Sequence, residues 1–163
     1  GRVSIVRAAP SARALARGHP TLREVSIEVL PGADPTAQAQ PGRLQQVLLN
    51  LVLNAGQAMS DRPSPRIRIA VAQEGPERVL ITVDDSGPGV PPELSEAIFD
   101  PFFTTKAPGE GTGLGLAVSR ALMEGMGGDL TTEPPPGASG ARFVVHLARF
   151  EGAGPRDGTE PKV

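Results

Sequence analysis

Two segments that alternate apolar and polar residues, Arg66–Ala72 (RIRIAVA) and Arg78–Val83 (RVLITV), are separated only by Gln73-Glu74-Gly75-Pro76-Glu77. Side chains along a strand point to opposite faces in turn, so each segment buries one row and leaves the other half exposed. So short a link joins them as an antiparallel hairpin. The apolar face of that hairpin must be covered, and the segment before it supplies a cover. Over Arg43–Met59, Leu44, Val47, Leu48, Leu51, Ala55 and Met59 recur at helical spacing on one face, with Pro41 tolerated at the first turn. Helices on one face of a mixed, mainly antiparallel sheet make an α+β two-layer sandwich.

The other elements are read from the same two periods. Arg23–Leu30 (REVSIEVL) alternates and is expected to be a strand, as are Arg142–Ala148 (RFVVHLA) and a segment near Asp129–Thr132. Pro92–Ile98 reads as a short helix and Thr112–Met126 as a longer one. Pro31–Gly42, rich in proline and glycine, is expected to be loop, and Ser60–Pro65 to end the long helix. Near the start, Val3, Ile5 and Val6 suggest a short strand or docking segment, and Ser11–Gly18 a helix capped by Ser11. The expected organisation is one domain over residues 1–150 and a loose tail over 151–163.

Composition excludes several classes. A net charge of -2 leaves no electrostatic footprint for nucleic acid or an anionic membrane. No apolar run approaches the roughly 20 residues of a membrane-spanning helix, and no signal peptide is visible. Cysteine is absent, which removes disulfides and thiolate metal sites; this fits the cytosol. His19 and His146 are too far apart for a zinc motif. The 20 glycines and 18 prolines gather between the periodic segments, which marks loops and not disorder.

Three stretches carry candidate chemistry. On the long helix, Asn50, Asn54 and Gln57 form a polar stripe beside the apolar face. They read either as a solvated edge or, through a hard amide oxygen, as ligands for Mg²⁺. At the end of the second hairpin strand, Asp84-Asp85-Ser86-Gly87-Pro88-Gly89 places one carboxylate inward and one outward. Asp85, the inward one, reads either as a cap on a tight turn or as an acceptor for the exocyclic amine of a base lying against Gly87 and Gly89. The glycine loop GEGTGLGL, running into a helix, offers backbone N–H groups to phosphate. It lacks the ending of a P-loop and the register of a dinucleotide fingerprint, and no eukaryotic-type kinase motif accompanies it. Phe99, Phe102 and Phe103 cluster around Pro101, as core residues or as the anchor of a movable cover that also presents a surface to a partner.

The boxes LLNLVLNAGQAM, DDSGPGV, FDPFFTTK, GEGTGLGL and a final GG…GASGARF occur in a fixed order over about residues 23–150. That order resembles the ATP-binding catalytic domain of bacterial sensor histidine kinases, in the superfamily that also holds DNA gyrase, the heat-shock chaperone of the same Bergerat-type fold and MutL-type repair proteins. FDPFFTTK is similar to the nitrogen-regulatory branch.

The resemblance implies Asn54 as the main Mg²⁺ ligand, with Asn50 near the metal and phosphates. It implies Asp85 as the adenine reader, within a pocket shaped by Gly87, Gly89, Val90 and Ala141. Gln57 stands where relatives often have lysine, with Ala58 beside it, and Ala141 where many have threonine. A lid is implied over about residues 90–112, rooted at Phe99, with Thr104, Thr105 and Lys106 within it. The phosphate-side loop would comprise Gly111, Thr112, Gly113, Leu114, Gly115 and Leu116.

ATPases of the superfamily usually carry a glutamate one turn before the metal asparagine as base for water; here that position is Asn50, which favours transfer of phosphoryl to a supplied acceptor. Neither His19 nor His146 lies in a motif like H-E-x-x-x-P. The resemblance therefore implies a histidine kinase catalytic domain acting with ATP and Mg²⁺ on a histidine in a separate dimerisation domain, and through it on a response regulator receiver domain. The expected setting is cytoplasmic, with any membrane attachment in the parent protein. A non-catalytic ATP-sensing module and an anti-sigma-type serine kinase are the competing readings.

Overall fold

The computed structural model describes residues 2–30, 36–103, 114–137 and 139–149. Its frame is a five-stranded sheet in the order β2 (Ser26–Val29), β4 (Arg66–Glu74), β5 (Arg78–Asp85), β7 (Arg142–Ala148), β6 (Asp129–Glu133). β2 runs parallel to β4, and every other neighbouring pair is antiparallel. Helices α1 (Ile5–Arg17), α2 (Pro41–Ala58) and α3 (Gly115–Gly125) form the second layer. The α+β two-layer arrangement is the expected one.

Strand period places the core. On β5, Val79, Ile81, Val83 and Asp85 are buried, while Leu80, Thr82 and Asp84 lie half-buried on the other side. In the β4–β5 register Ile67 faces Asp85 and Ile69 faces Val83, so one face of the hairpin is apolar up to its last pair. α2 buries Leu44, Val47, Leu48, Leu51, Val52 and Ala55 against this face and against its neighbouring helices. Because the row is apolar except for its last member, a carboxylate is carried to the edge of the core.

Several boundaries differ from the sequence expectation. α1 begins at Ile5 and runs through Pro10, so Ser11 lies inside it and does not cap it. Pro10 is exposed, where water can replace the hydrogen bond it cannot donate. Ala12 and Ala16 are wholly buried, and this packing overrides the local breaker. The expected loop 31–42 contains β3 (Thr36–Gln38), paired antiparallel with β1 (Arg2–Ser4), and the first residues of α2. An isolated bridge between Ala37 and Arg149 ties this ribbon to the end of β7. β2 is shorter than Arg23–Leu30, and β4 continues to Glu74.

Pro92–Ile98 is not one helix but two 3-10 turns, Pro92–Leu94 and Ala97–Phe99, too short for α-helical hydrogen bonding to propagate. α3 starts at Gly115; Thr112 and Gly113, expected in its first turn, lie outside the described residues, as does the tail 151–163. Among the described residues no helix is long and apolar enough to cross a membrane.

Candidate functional site

The site begins where β5 ends. Asp85 is only 7% exposed. Its backbone N–H donates to the Ala141 carbonyl at 3.0 Å, and its Oδ1 accepts from Gly87 N at 2.8 Å and from Ala141 N at 3.2 Å. The turn-cap reading is therefore met by one carboxylate oxygen. Both of these bonds fall on Oδ1. Burial pushes the Asp85 carboxyl above its ordinary value, outweighing the Gly87 and Ala141 donors that hold it down; the neighbouring Asp84 charge adds to the rise and Arg62 opposes it.

Asp84 points to the other face. It is held by Arg142 in a bidentate pair at 2.7 and 2.6 Å, so it is not a free solvent-facing acid.

Backbone segments close tightly around Asp85. A Cβ on Gly87 would stand 2.9 Å from Asp85 Oδ1 and 3.2 Å from Met59 Cγ. Gly89, at φ +85°, lies against the Gly140 carbonyl, which a Cβ there would approach to 2.8 Å. Gly140, at φ +108°, passes so close over the end of β5 that a Cβ would overlap the Asp85 carbonyl oxygen. Three glycines thus let two turns meet over one strand end. Val90 is half-buried against the core beside them, and Ala141 is buried.

α2 forms the wall beside this turn. Met59, just past its end, accepts a hydrogen bond at Sδ from Ser86 Oγ at 3.2 Å. Nearer its middle, Asn50 Nδ2 donates to Ser119 Oγ of α3 at 3.2 Å. Asn54 lies between these two anchors, about 6 Å along the axis from Asn50 and 7–8 Å from Met59 at the helical rise. Asn50 and Asn54 are half-buried, whereas Gln57 and Ala58 are exposed. Among the described residues no hydrogen bond occupies the Asn54 amide. The sequence-derived stripe is thus brought between the Asp85 turn and the first turns of α3.

The root of the expected lid is fixed. Phe99 is buried, edge-on to Phe143 at 6.3 Å between centroids and 85° between planes. The Arg120 guanidinium lies 4.5 Å over the Phe99 ring and donates to Glu96 at 3.2 Å, with Asp129 at 3.5 Å. The core reading holds for Phe99; Phe103 is half-buried, and Phe102 is 73% exposed at φ +67°. Leu114 and Gly115 are exposed at the start of α3, and Leu116 packs against the core. Thr104, Thr105, Lys106, Gly111, Thr112 and Gly113 lie outside the described residues.

Sequence reasoning placed Met59 on the apolar face of the helix and gave no role in the site to Met59, Ser86, Ser119, Arg120 or Gly140. Met59, Ser86 and Gly140 had a signal, their places at the end of the apolar face, in the DDSGPGV turn and in the glycine-rich GASGARF turn. A groove of about 680 Å³ at the opposite end of the sheet, bordered by Arg78, His146 and Arg149, contains none of the candidate residues.

A family described as histidine kinase-, DNA gyrase B-, and HSP90-like ATPase matches residues 39–150. The two-component sensor PprA of Pseudomonas aeruginosa is 45% identical over 133 residues, covering 77% of this chain and 14% of that protein. Sensor histidine kinase ZraS of Salmonella typhimurium is 48% identical over 110 residues, covering 68% of this chain and 23% of that protein. This chain therefore spans less than a quarter of either relative. The nucleotide-free catalytic domain of histidine kinase ThkA superposes with a TM-score of 0.73 at 31% identity, covering 91% of this chain and 97% of that one.

Proposed function

We propose that this chain, which belongs to the histidine kinase-, DNA gyrase B-, and HSP90-like ATPase family, binds ATP and passes its γ-phosphoryl group to a histidine on a separate helical dimerisation domain. The observation that carries the proposal is the junction of α2 with the end of β5, where Met59 meets Ser86 and Gly87 beneath a buried Asp85. That junction, with the polar stripe of α2 leading up to it, supports reading the carboxylate and the amides as one wall.

The residues fit ATP and magnesium. Oδ1 of Asp85 is held by two backbone donors, and Oδ2 is the oxygen assigned to the exocyclic amine of adenine. Gly87, Gly89, Val90 and Ala141 shape the base pocket, with no bulky side chain at the two glycines to intrude on it. Asn54, half-buried and without a hydrogen bond among the described residues, has an oxygen to offer a hard cation. Asn50 stands beside it. Bound magnesium neutralises triphosphate charge. Lys106, Thr112 and the loop from Gly111 to Leu116 are assigned to the phosphates, with Gln57 and Ala58 at the rim.

Asn50 supports transfer in preference to hydrolysis. A neutral amide takes no proton from water near pH 7, so no general base is provided one turn before Asn54. Catalysis of phosphoryl transfer then rests on positioning and charge stabilisation. Phe99, buried between Phe143 and Arg120, anchors the lid root at the edge of the pocket. The acceptor is a histidine-bearing dimerisation domain, and a response regulator receiver domain receives the group next. A cytoplasmic setting follows from dependence on ATP.

The experiment supplies ³²P-labelled ATP to this chain together with a histidine-bearing helical-hairpin domain in trans. Acid-labile label on the hairpin is the expected result. Binding without transfer would make the chain a nucleotide sensor, and acid-stable label would make it a serine kinase; either outcome overturns the proposal.

A further inference from the structure

We infer that Ser119 is a positioning residue that holds the Asn50 side chain against α3 and so fixes where its amide stands beside the nucleotide. The inference rests on the reading of α2 as the magnesium-bearing wall. Ser119 and Met123 are the buried residues of α3, one turn apart on the face turned toward α2. An apolar residue would fill that position without cost, whereas a hydroxyl buried there is unfavourable unless it is hydrogen-bonded. Ser119 has 0% exposure, and its Oγ accepts from Asn50 Nδ2 at 3.2 Å.

A serine hydroxyl can accept from an amide nitrogen or donate to an amide oxygen, so what Ser119 fixes is the place of the Asn50 side chain. With one end of the amide engaged by Ser119, the other is held at a set position beside the ligand, where its oxygen is of the kind magnesium takes. Without the serine nothing in that contact holds the Asn50 side chain in one rotamer. The same bond spaces α2 from the first turns of α3, and the next residue, Arg120, is seated on Phe99 at the lid root. Ser119 therefore links the amide wall to the helix that follows the glycine loop.

The test uses the whole chain, with adenylyl imidodiphosphate as the nucleotide probe and Mg²⁺ as the titrant. Adenosine binding, which requires no metal, is the control. Ser119→Ala, and Ser119→Cys as a near-isosteric variant with a weak acceptor, should each raise the Mg²⁺ concentration for half-maximal nucleotide binding about five- to tenfold. Adenosine affinity and the thermal midpoint should stay near wild type. In an Asn50→Ala background, Ser119→Ala should add nothing. The inference is overturned if both serine variants titrate as wild type, or if adenosine and Mg²⁺ responses weaken together, which would indicate general loosening. Asn54→Ala separates the two levels. If it loses Mg²⁺ dependence while the serine variants titrate as wild type, only the positioning role falls. If it keeps that dependence, the reading of α2 falls and this inference with it.

Discussion

Replacing Gly140 by alanine should damage both the fold and the site, although it adds a single methyl group. Gly140 stands at φ +108°, a region that costs an L-residue about 1–3 kcal/mol. The added carbon would overlap the Asp85 carbonyl oxygen and lie 3.1 Å from its carbonyl carbon and 3.6 Å from Ser86 Cα. All of these are backbone atoms, so no rotamer change relieves the contact, and overpacking of this kind costs about 1–3 kcal/mol more. The total, about 2–6 kcal/mol, is a large share of the 5–15 kcal/mol that holds a typical domain together.

Relief by backbone movement would draw Ala141 away from Asp85 and loosen the bonds at 3.0 and 3.2 Å that hold that carboxylate. ATP affinity should fall with stability. Because the chain has no tryptophan or tyrosine, urea unfolding is best followed by far-ultraviolet circular dichroism. Gly42→Ala is the control. Gly42 lies in the first turn of α2 with nothing within 4 Å of its would-be Cβ, and should change stability by about 0.5–1 kcal/mol in the favourable direction. Equal stability of Gly140→Ala and wild type would refute the claim that the two turns are locked together at Asp85.

The raised Asp85 carboxyl acts in opposite directions on stability and on binding. Between its unfolded value near 3.8 and its raised folded value, the native state binds more protons, so Asp85's contribution to stability is present below 3.8 and is lost as pH rises through the folded value. Adenine recognition runs the other way, weakening as pH falls through that raised value; Asp85→Asn should abolish this acid limb, and a limb left unchanged in binding titrations would exclude Asp85 as its source. Phe99→Ala removes a ring packed on Phe143 beneath Arg120 and should cost about 3–5 kcal/mol in urea unfolding, with a loss below 1 kcal/mol contradicting its anchoring role. Arg142→Met leaves the mostly buried Asp84 without its bidentate partner and should lower stability by about 1–3 kcal/mol, while adenosine affinity, which depends on the opposite face, stays the same.

The elements legible in the sequence are those whose period reports burial. β4, β5 and α2 show it plainly, and strand alternation alone puts Asp85 on the core side and Asp84 on the other. What stayed hidden depends on partners distant along the chain. β1 and β3 have three residues each, too few for a period, and exist through pairing with each other. The helix expected from Ser11 begins earlier, at Ile5, because Ala12 and Ala16 stabilise it through tertiary contact although local propensity disfavours Pro10 inside it.

Within the site, the stripe Asn50–Asn54 and the glycine turns were readable as residue types. The bond from Asn50 to Ser119, 69 positions away, has no local signature. Nor does the overlay of Gly140 on Asp85. Phe99 was readable as part of an aromatic cluster, but what separates it from exposed Phe102 is its place at the end of a 3-10 turn, against Phe143 of β7, while Phe102 lies beyond that turn.

The central claim is that the amide wall of α2 and the carboxylate at the end of β5 hold one magnesium-bound ATP. Calorimetric titration of ATP into the chain, with Mg²⁺ and with excess chelator, tests it most directly when wild type, Asn54→Ala and Asp85→Ala are compared. The account predicts that Mg²⁺ tightens binding to the wild type, that Asn54→Ala removes that tightening, and that Asp85→Ala weakens binding by about 1.5–3 kcal/mol with or without the metal. Wild-type affinity indifferent to Mg²⁺, or both variants binding as wild type with the fold intact, would contradict it.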